Sequence, residues 1–366
     1  MTVKLFEAGE HRCIAFEDLV RCDDRASGPD HPPFIIAEMS GNHNQSLERA
    51  LEIVEAAAAS GAHALKLQTY TADTMTLDIQ EGDFFLADDS TPWQGTSLYD
   101  LYQVAHTPWD WHEPIIRRAN ELGMICFSTP FDHTAVEFLE ELDTPAYKIA
   151  SFENADIPLI RKVAATGKPV ILSTGMATLA ELDETVRTLR ENGCEQFVLL
   201  QCTSTYPATP ENSNVLTIPH MRELFGCQVG LSDHTLGVGA AVAAVAHGAT
   251  VVEKHFTLSR ADGGVDSTFS LEPEEMRQLV IETERAWKAL GGVQYGPIAV
   301  EQGSMRFRRS LYIAADIKAG EKVMPENLRS IRPGYGLSPK YYDVLLGRRV
   351  NRDLTRGTPM SWEYLG

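Results

Sequence analysis

Three observations predict an α/β chain: a (β/α)8 TIM barrel followed by a small β-rich domain. Eight short apolar runs alternate with amphipathic segments between residues 34 and about 290. The polar residues of those runs collect at their C-terminal ends. The charge balance also reverses near residue 303. Residues 1–302 carry 20 Lys/Arg against 45 Asp/Glu, a net of −25, whereas residues 303–366 carry 12 against 6, a net of +6.

In chain order, residues 1–30 read as a hairpin and extension able to plug the barrel bottom. The eight runs are FIIAEMS from 34, ALKLQT from 64, MICFSTP from 124, AYKIAS from 146, PVILSTG from 169, FVLLQCTS from 197, QVGLSDH from 228 and VVEKHFT from 251. Continuous apolar runs of this length suit parallel strands buried on both faces. Between the first two, Leu47, Ala50, Leu51, Val54 and Ala58 share one helical face, with Ser46 placed to cap the start and Gly61 to end it. Thr178 and Glu181 form a capping box ahead of a stripe of Leu179, Leu182, Val186 and Leu189. Thr107-Pro108 reads as a helix start, a cap residue before proline at the first helical position. Eight strand–helix repeats favour the barrel over a doubly wound open sheet, whose usual count is about six strands. An insertion at 70–107, carrying Phe84, Phe85, Trp93, Tyr99 and Tyr102, is long for a compact fold and reads as functional and partly packed. The barrel is expected over 31–290, a glycine-rich linker over 291–304, and the second domain over 305–366, with β-like runs at SLYIAA from 310 and KVM from 322 and a turn at PGYG from 333.

An apolar content of 43% excludes intrinsic disorder. A net charge of −19 speaks against nucleic-acid binding by the global field. No apolar run approaches the roughly 18 residues of a membrane span, and the N-terminus lacks an apolar signal core. Six cysteines without C-x-x-C spacing read as reduced thiols, so a cytoplasmic location is expected. Cys126 and Cys202, inside apolar runs, read as reduced, buried thiols.

In a parallel barrel the strand C-termini converge on the rim where active sites are built. That rim collects Glu38, Asn42 and His43 from strand 1; Lys66 and Gln68 from strand 2; Ser128 and Thr129 from strand 3; and Lys148 and Ser151 from strand 4. Strand 5 adds Ser173, strand 6 Ser204 and Tyr206, strand 7 Ser232, Asp233 and His234, and strand 8 Glu253, Lys254 and His255. Lys66 and Lys148, surrounded by hydroxyls, suit a phosphate or carboxylate; the competing reading is a buried structural pairing with Glu38 and Glu253. His234 and His255, on adjacent strand ends, could share one divalent ion, with Mn, Co or Mg suited to a site of only two protein ligands. Asp266, in the loop after strand 8, could bind sugar hydroxyls, or it could serve an ordinary turn. His106, His112, His133, His220 and His247 read as surface or packing residues, and Trp109 and Trp111 as core.

The strings IAEMSGNHNQ from 36, ALKLQ from 64, YKIASFEN from 147, ILSTGMA from 171, QCTSTYP from 201, GLSDHT from 230 and VEKHFTLSR from 252 resemble the sialic acid synthase family. The tail, with RSLYIAADIKAGE from 309 and IRPGYGLSP from 331, resembles that family's C-terminal antifreeze-like (SAF) domain. The resemblance runs in order through nearly the whole chain. It implies a transferase that condenses phosphoenolpyruvate with an amino-sugar aldehyde, giving a nine-carbon 2-keto-3-deoxy acid and phosphate by C–O cleavage. It further implies that His234 and His255 bind a divalent metal and that Lys66, Lys148, Ser151 and Ser173 hold phosphoenolpyruvate. Glu38, Gln68, Tyr206 and Asp266 would line the sugar and water positions, and Glu38 is the candidate for handling protons or stabilising the cationic centre that develops at the enol carbon. Asn42, His43, Ser128, Thr129, Ser204 and Ser232 complete the expected substrate contacts. The family's domain-swapped homodimer implies that Arg332, in the Arg-Pro-Gly motif, reaches the partner's barrel.

The sequence departs from the sialic acid synthases after strand 8, where Gly264-Val265-Asp266-Ser267-Thr268-Phe269-Ser270 stands in place of a Gly-Pro-Asp-His-Lys-Ala-Ser type string. This wording, together with SLYDLYQVAHTPWDWH from 97 and SRADGGVDS from 259, resembles the family's pseudaminic acid branch. The sugar implied is 2,4-diacetamido-2,4,6-trideoxy-L-altrose, whose 6-deoxy methyl suits an apolar wall such as Phe269. The N-acetylneuraminate and legionaminic acid branches are the alternatives within enzymes. A non-catalytic carbohydrate- or ice-binding protein is the alternative outside them.

Overall fold

The computed structural model describes residues 31–87 and 93–366, and of the first thirty residues the backbone of 3–7, 10–14, 20–22 and 25–27. Those four segments pair as two antiparallel hairpins, Val3–Glu7 with Glu10–Ile14 and Val20–Cys22 with Arg25–Ser27. The expected plugging of the barrel bottom lies outside the described residues. The chain divides into two compact units, Met1–Gly291 and Gly292–Gly366.

The first unit contains the expected barrel. Its strands are β1 (Phe34–Glu38), β2 (Ala64–Thr69), β3 (Ile125–Pro130), β4 (Tyr147–Ile149), β5 (Val170–Ser173), β6 (Phe197–Cys202), β7 (Gln228–Asp233) and β8 (Val251–His255). All pair in parallel, each with its sequence neighbours, and β8 closes the ring on β1. The helices that follow them are α1 (Leu47–Ala59), α2 (His112–Glu121), α3 (His133–Glu141), α4 (Ile157–Ala164), α5 (Leu179–Glu191), α6 (Thr217–Phe225), α7 (Gly239–Ala246) and α8 (Pro273–Leu290). Local chemistry sets their ends. The Ser46 hydroxyl accepts the Arg49 N–H at 3.2 Å, and Gly61 turns out of α1 at φ +86°. The Thr178–Glu181 capping box opens α5. Thr107-Pro108 does not open a helix. A 3-10 turn at Trp109–Trp111 follows, and α2 starts at His112. The Thr107 hydroxyl instead meets His43 Nε2 at 3.3 Å, and no side chain caps the 3-10 turn.

Strand alternation divides the core into two layers. Ile35, Ala37, Leu65, Leu67, Cys126, Val170, Leu172, Leu199, Val229, Leu231 and Val252 pack with helix residues such as Val54, Ile115 and Leu279. The opposite face of the strands contributes Phe34, Ile36, Ala64, Ile125, Phe127, Ile171, Val198, Leu200 and Val251, an apolar filling of the barrel interior. A Cβ on Gly230 would lie 2.2 Å from the Val251 carbonyl oxygen, so β7 and β8 approach closely there only because that residue is glycine. In the 70–107 insertion, Ser97 caps a helix at Leu98–Ala105, and Tyr70 packs edge-on against Tyr102 and Phe131. No helix among the described residues is long and apolar enough to cross a membrane.

The second unit has little regular structure. An antiparallel pair, β9 (Ser310–Ile313) with β10 (Leu328–Ile331), supports a core of Leu311, Ile313, Ile317, Val323, Leu328, Leu345, Val350, Leu354 and Met360. Single bridges at Ile317–Leu354, Lys322–Arg349 and Val350–Leu365 complete it. The segment expected as a linker runs into a 3-10 helix at Ala299–Phe307.

Candidate active site

At the C-terminal end of the barrel the inward positions change from apolar to charged. One step beyond Ile36, Ala64 and Val251 stand Glu38, Lys66 and Glu253, and Lys148 occupies the equivalent place on β4. All four are buried. Lys66 Nζ makes a close ion pair with Glu38 Oε2, donates to Thr129 Oγ1 at 3.2 Å and lies 3.7 Å from Glu253 Oε1. Lys148 Nζ donates to Ser173 Oγ at 2.6 Å and to the Ile149 carbonyl at 3.1 Å, and also lies 3.7 Å from Glu253 Oε1. Glu253 thus bridges the two ammonium groups and accepts from Ser232 Oγ at 3.4 Å. Glu38 Oε1 accepts from the Ser40 N–H at 3.0 Å and from Gln68 Nε2 at 3.2 Å. The two readings of the lysines are therefore compatible, since they are paired with glutamates and also face the rim.

Burial and pairing oppose each other across this cluster. Burial pushes the Glu38 carboxyl up to about 7 against the pull of Lys66. Burial also works to raise Glu253, but Lys148 and Lys66 outweigh it and hold that carboxylate below its ordinary value. Burial disfavours the Lys66 ammonium, yet Glu253 and Glu38 outweigh it and lift its pKa. Lys148 is lowered, because burial there outweighs Glu253.

Beside the lysines, Ser151 and Ser204 crowd Gly175. The Gly175 N–H donates to Ser151 Oγ at 3.2 Å, and a Cβ on Gly175 would fall 2.2 Å from Ser204 Oγ and 2.7 Å from Ser151 Oγ. The missing Cβ lets two hydroxyls gather beside the Gly175 N–H, two residues after Ser173, the partner of Lys148, a suitable environment for an oxyanion.

His234 and His255 face each other with ring centroids 5.4 Å apart. His234 Nδ1 donates to the Thr203 carbonyl at 3.0 Å, so Nε2 is the nitrogen left to face a ligand; burial works to lower this pKa, but Cys202 and the Thr203 carbonyl outweigh it and raise it. His255 Nδ1 is buried without a hydrogen-bond partner, 3.8 Å from Asp266 Oδ2. Burial, His234 and the lysines hold His255 well below its ordinary pKa, in the neutral form that ligates metals. Asp266 accepts a close hydrogen bond from Ser40 Oγ, and burial raises its pKa. An aromatic wall covers this pair. Tyr206 lies 4.6 Å from His234 and 5.2 Å from Phe269, and Phe269 lies 5.0 Å from His255. Trp93 packs on Tyr206 at 5.7 Å and donates from Nε1 to the Val265 carbonyl at 2.8 Å.

Some of the residues expected here stand elsewhere. His43 is buried with Nε2 against Thr107, Nδ1 accepting from the Gln45 N–H at 3.2 Å and its ring edge-on to Trp111. Ser128 is out of phase with Phe127 and Thr129. It hydrogen-bonds Thr69 Oγ1 at 2.6 Å, where His112 Nε2 also lies at 2.8 Å. Asn42 ties two loops together, donating from Nδ2 to the Phe256 carbonyl and to Ser270 Oγ at 2.9 Å each, while its buried Oδ1 has no partner. Asp233 and Lys254 pair on the outer face of the barrel. Arg332 is exposed in the second unit, just after β10.

Three residues of the cluster escape a reading by strand ends. Glu153, in the 3-10 turn after β4, is pushed up to about 7 by burial despite Lys148, and its Oε2 has no hydrogen-bond partner among the described residues. Cys202 lies 4.0 Å from His234 Nδ1. Burial opposes ionisation of this thiol, but His234 outweighs it and brings it down to about 7. Gly175 is the third. Alternation from Val198 and Leu200 marks Cys202 as inward, whereas nothing in the sequence signals the turn that aims Glu153.

A family model described as the NeuB family matches residues 53–295, and one described as the SAF domain matches residues 308–365. The chain is 44% identical over 335 residues to a Campylobacter jejuni protein named pseudaminic acid synthase, covering 91% of this chain and 96% of the relative. It is 41% identical over 332 residues to a Helicobacter pylori protein of the same name, covering 90% and 97%. Among solved structures, the N-acetylneuraminic acid (sialic acid) synthetase of Leptospira borgpetersenii superposes with a TM-score of 0.70 at 31% identity, covering 80% of this chain and 97% of that one.

Proposed function

The chain belongs to the NeuB family, and from that premise we propose that it is a pseudaminic acid synthase, condensing phosphoenolpyruvate with 2,4-diacetamido-2,4,6-trideoxy-L-altrose. The observation that carries the chemistry is the placement of Lys66 and Lys148, both 3.7 Å from Glu253, beside the facing imidazoles of His234 and His255. C3 of phosphoenolpyruvate bonds to the aldehyde carbon of the open-chain sugar. Water adds at the enol C2, and the C–O bond to phosphorus-bearing oxygen breaks, so that phosphate leaves with that oxygen.

Lys148, Ser173, Ser151, Ser204 and the Gly175 recess hold the phosphate and carboxylate, with Lys66 supplying the second cation. Glu38, poised near neutrality, takes the proton of the water that adds at C2. Gln68, Tyr206, Asp266 and Glu153 supply hydrogen-bond partners for the sugar. Phe269 offers the apolar surface that a 6-deoxy methyl prefers to a hydroxyl.

Among the described residues no group of three or more His, Cys, Asp or Glu side chains is arranged around one metal position. The two imidazoles nonetheless fit a weakly held divalent cation, because His255 Nδ1 is a buried nitrogen with no hydrogen-bond partner and Thr203 engages only Nδ1 of His234. His234 and His255 would hold Mn, Co or Mg, which when bound polarises the aldehyde oxygen. We also read the chain as a homodimer in which the net +6 segment brings Arg332 of one copy to the anionic site of another.

The test is phosphate release and product mass with phosphoenolpyruvate and each of three sugars: the L-altrose derivative, N-acetylmannosamine and 2,4-diacetamido-2,4,6-trideoxymannose. Preference for the first supports the reading. Preference for either of the others moves the chain to a sister branch, and no phosphate from any of them refutes the synthase reading.

A further inference from the structure

Asp233 ends β7 and Lys254 is the penultimate residue of β8, and the two are direct partners in the parallel register. Their neighbours Leu231 and Val252 belong to the sheet–helix layer, so both side chains point away from the barrel interior. Lys254 is 0% exposed and Asp233 2%. Lys254 Nζ uses all three of its donors, reaching Asp233 Oδ2 at 2.8 Å, the Thr235 carbonyl at 2.6 Å and the Gly237 carbonyl at 2.9 Å. Asp233 Oδ1 accepts the Thr235 N–H at 2.9 Å. The backbone on both sides of His234 is thereby fastened to β8. The residue after Lys254 is His255.

Stability alone does not account for such a pair. A buried ion pair can commonly be replaced by well-packed apolar residues at no loss of stability, because desolvation offsets the attraction. What apolar residues lack is the directional grip on two carbonyls and one N–H of a loop.

We propose that Asp233 and Lys254 are positioning residues: from the outer face of the barrel they fix the loop bearing His234 relative to the strand bearing His255, and so set the spacing at which the two imidazoles share a cation. This rests on the reading that those histidines bind a divalent ion. Outer groups that orient ligands typically change metal affinity by about 10- to 100-fold when removed.

The test compares the wild-type chain, the double variant D233L/K254M and His255→Ala. Mn2+ is the probe, titrated without substrates by electron paramagnetic resonance, alongside thermal melting and steady-state kinetics. The double variant is expected to fold with a lowered melting temperature, because the Thr235 N–H and the Thr235 and Gly237 carbonyls lose their partners, to bind Mn2+ about 10- to 100-fold more weakly, to lose kcat in parallel, and to keep its KM for phosphoenolpyruvate within about twofold. Wild-type Mn2+ affinity in the folded double variant overturns the positioning role. If H255A binds Mn2+ as tightly as wild type, or wild type binds none, the underlying cation reading is overturned as well. Should the double variant not fold, Lys254→Gln, whose shorter side chain with two amide protons cannot serve Asp233 and both loop carbonyls at once, carries the same comparison, and unchanged Mn2+ affinity in it overturns the proposal.

Discussion

Substituting Gly175→Ala adds one methyl group at a place where the structure has no room for it. The new Cβ would sit 2.2 Å from Ser204 Oγ, 2.7 Å from Ser151 Oγ and 3.1 Å from Ser151 Cβ. The two closest atoms are hydroxyls that can rotate about χ1, so the fold relieves the clash by turning them out of the recess. Overpacking costs about 1–3 kcal/mol in a rigid core, and with rotatable neighbours the lower end applies, a loss of only a few degrees in melting temperature. The effect on ligand binding is larger. A hydrogen bond to a charged group contributes about 1.5–3 kcal/mol, so losing one hydroxyl weakens phosphoenolpyruvate binding by roughly 10- to 150-fold. The assay is initial-rate phosphate release with phosphoenolpyruvate varied at saturating sugar, alongside a melting curve. A raised phosphoenolpyruvate KM with an unchanged sugar KM is expected. A folded variant with wild-type phosphoenolpyruvate KM refutes the placement of the anion between Lys148, Ser151 and Ser204.

Three further outcomes follow from the same geometry. Chelation should abolish turnover and added Mn2+ restore it, while His234→Ala should stay inactive with Mn2+ although folded; full activity in chelator refutes the cation reading. Phe269→Ala empties a fully buried ring site, so it should cost about 3–5 kcal/mol in chemical denaturation and reduce discrimination against a 6-hydroxylated sugar by about 10- to 200-fold; unchanged kcat/KM ratios remove Phe269 from specificity. Glu153 has a folded pKa near 7, above its ordinary value. Between about 4.5 and 7 the folded chain therefore keeps a proton that the unfolded chain releases, and stability falls as pH rises through that window. Glu153→Gln should raise the melting temperature more at pH 8 than at pH 5, and an equal shift at both values contradicts burial as the cause.

The barrel was legible because its signal is repeated and periodic: eight apolar runs, each followed by an amphipathic stripe, leave little freedom in topology. The inward half of the site was legible for the same reason, since Glu38, Lys66, Lys148, Ser173, Glu253 and His255 lie in phase with the apolar interior residues of their strands. Reading strand ends without phase admitted Ser128, whose hydroxyl belongs to the helix side, and His43, which a loop carries against Trp111. The same neglect of phase put Asp233 and Lys254 among rim residues when their contacts lie on the outer face. Glu153 and the Trp93–Tyr206 contact depend on how non-repetitive turns fold, and no spacing rule encodes them. Thr107-Pro108 carried a cap signal that a tertiary contact overrode. The second unit offers few periodic runs, so its core of scattered Leu, Ile and Val could be named only as β-rich.

The apolar filling beneath the charged layer makes the catalytic end of the barrel a one-sided vessel. Phe34, Ile36, Phe127, Ile171 and Leu200 form an apolar floor beneath it, and none of these side chains can donate or accept a proton. On the proposed reading, a proton that Glu38 gains or loses exchanges by way of the charged rim, the end of the barrel that also receives the two reactants. Bound sugar would then stand in that path while the chemistry runs. Turnover would then carry a memory of pH at loading, and a rapid pH jump after substrate capture should leave the first turnover at its original rate and alter only those that follow.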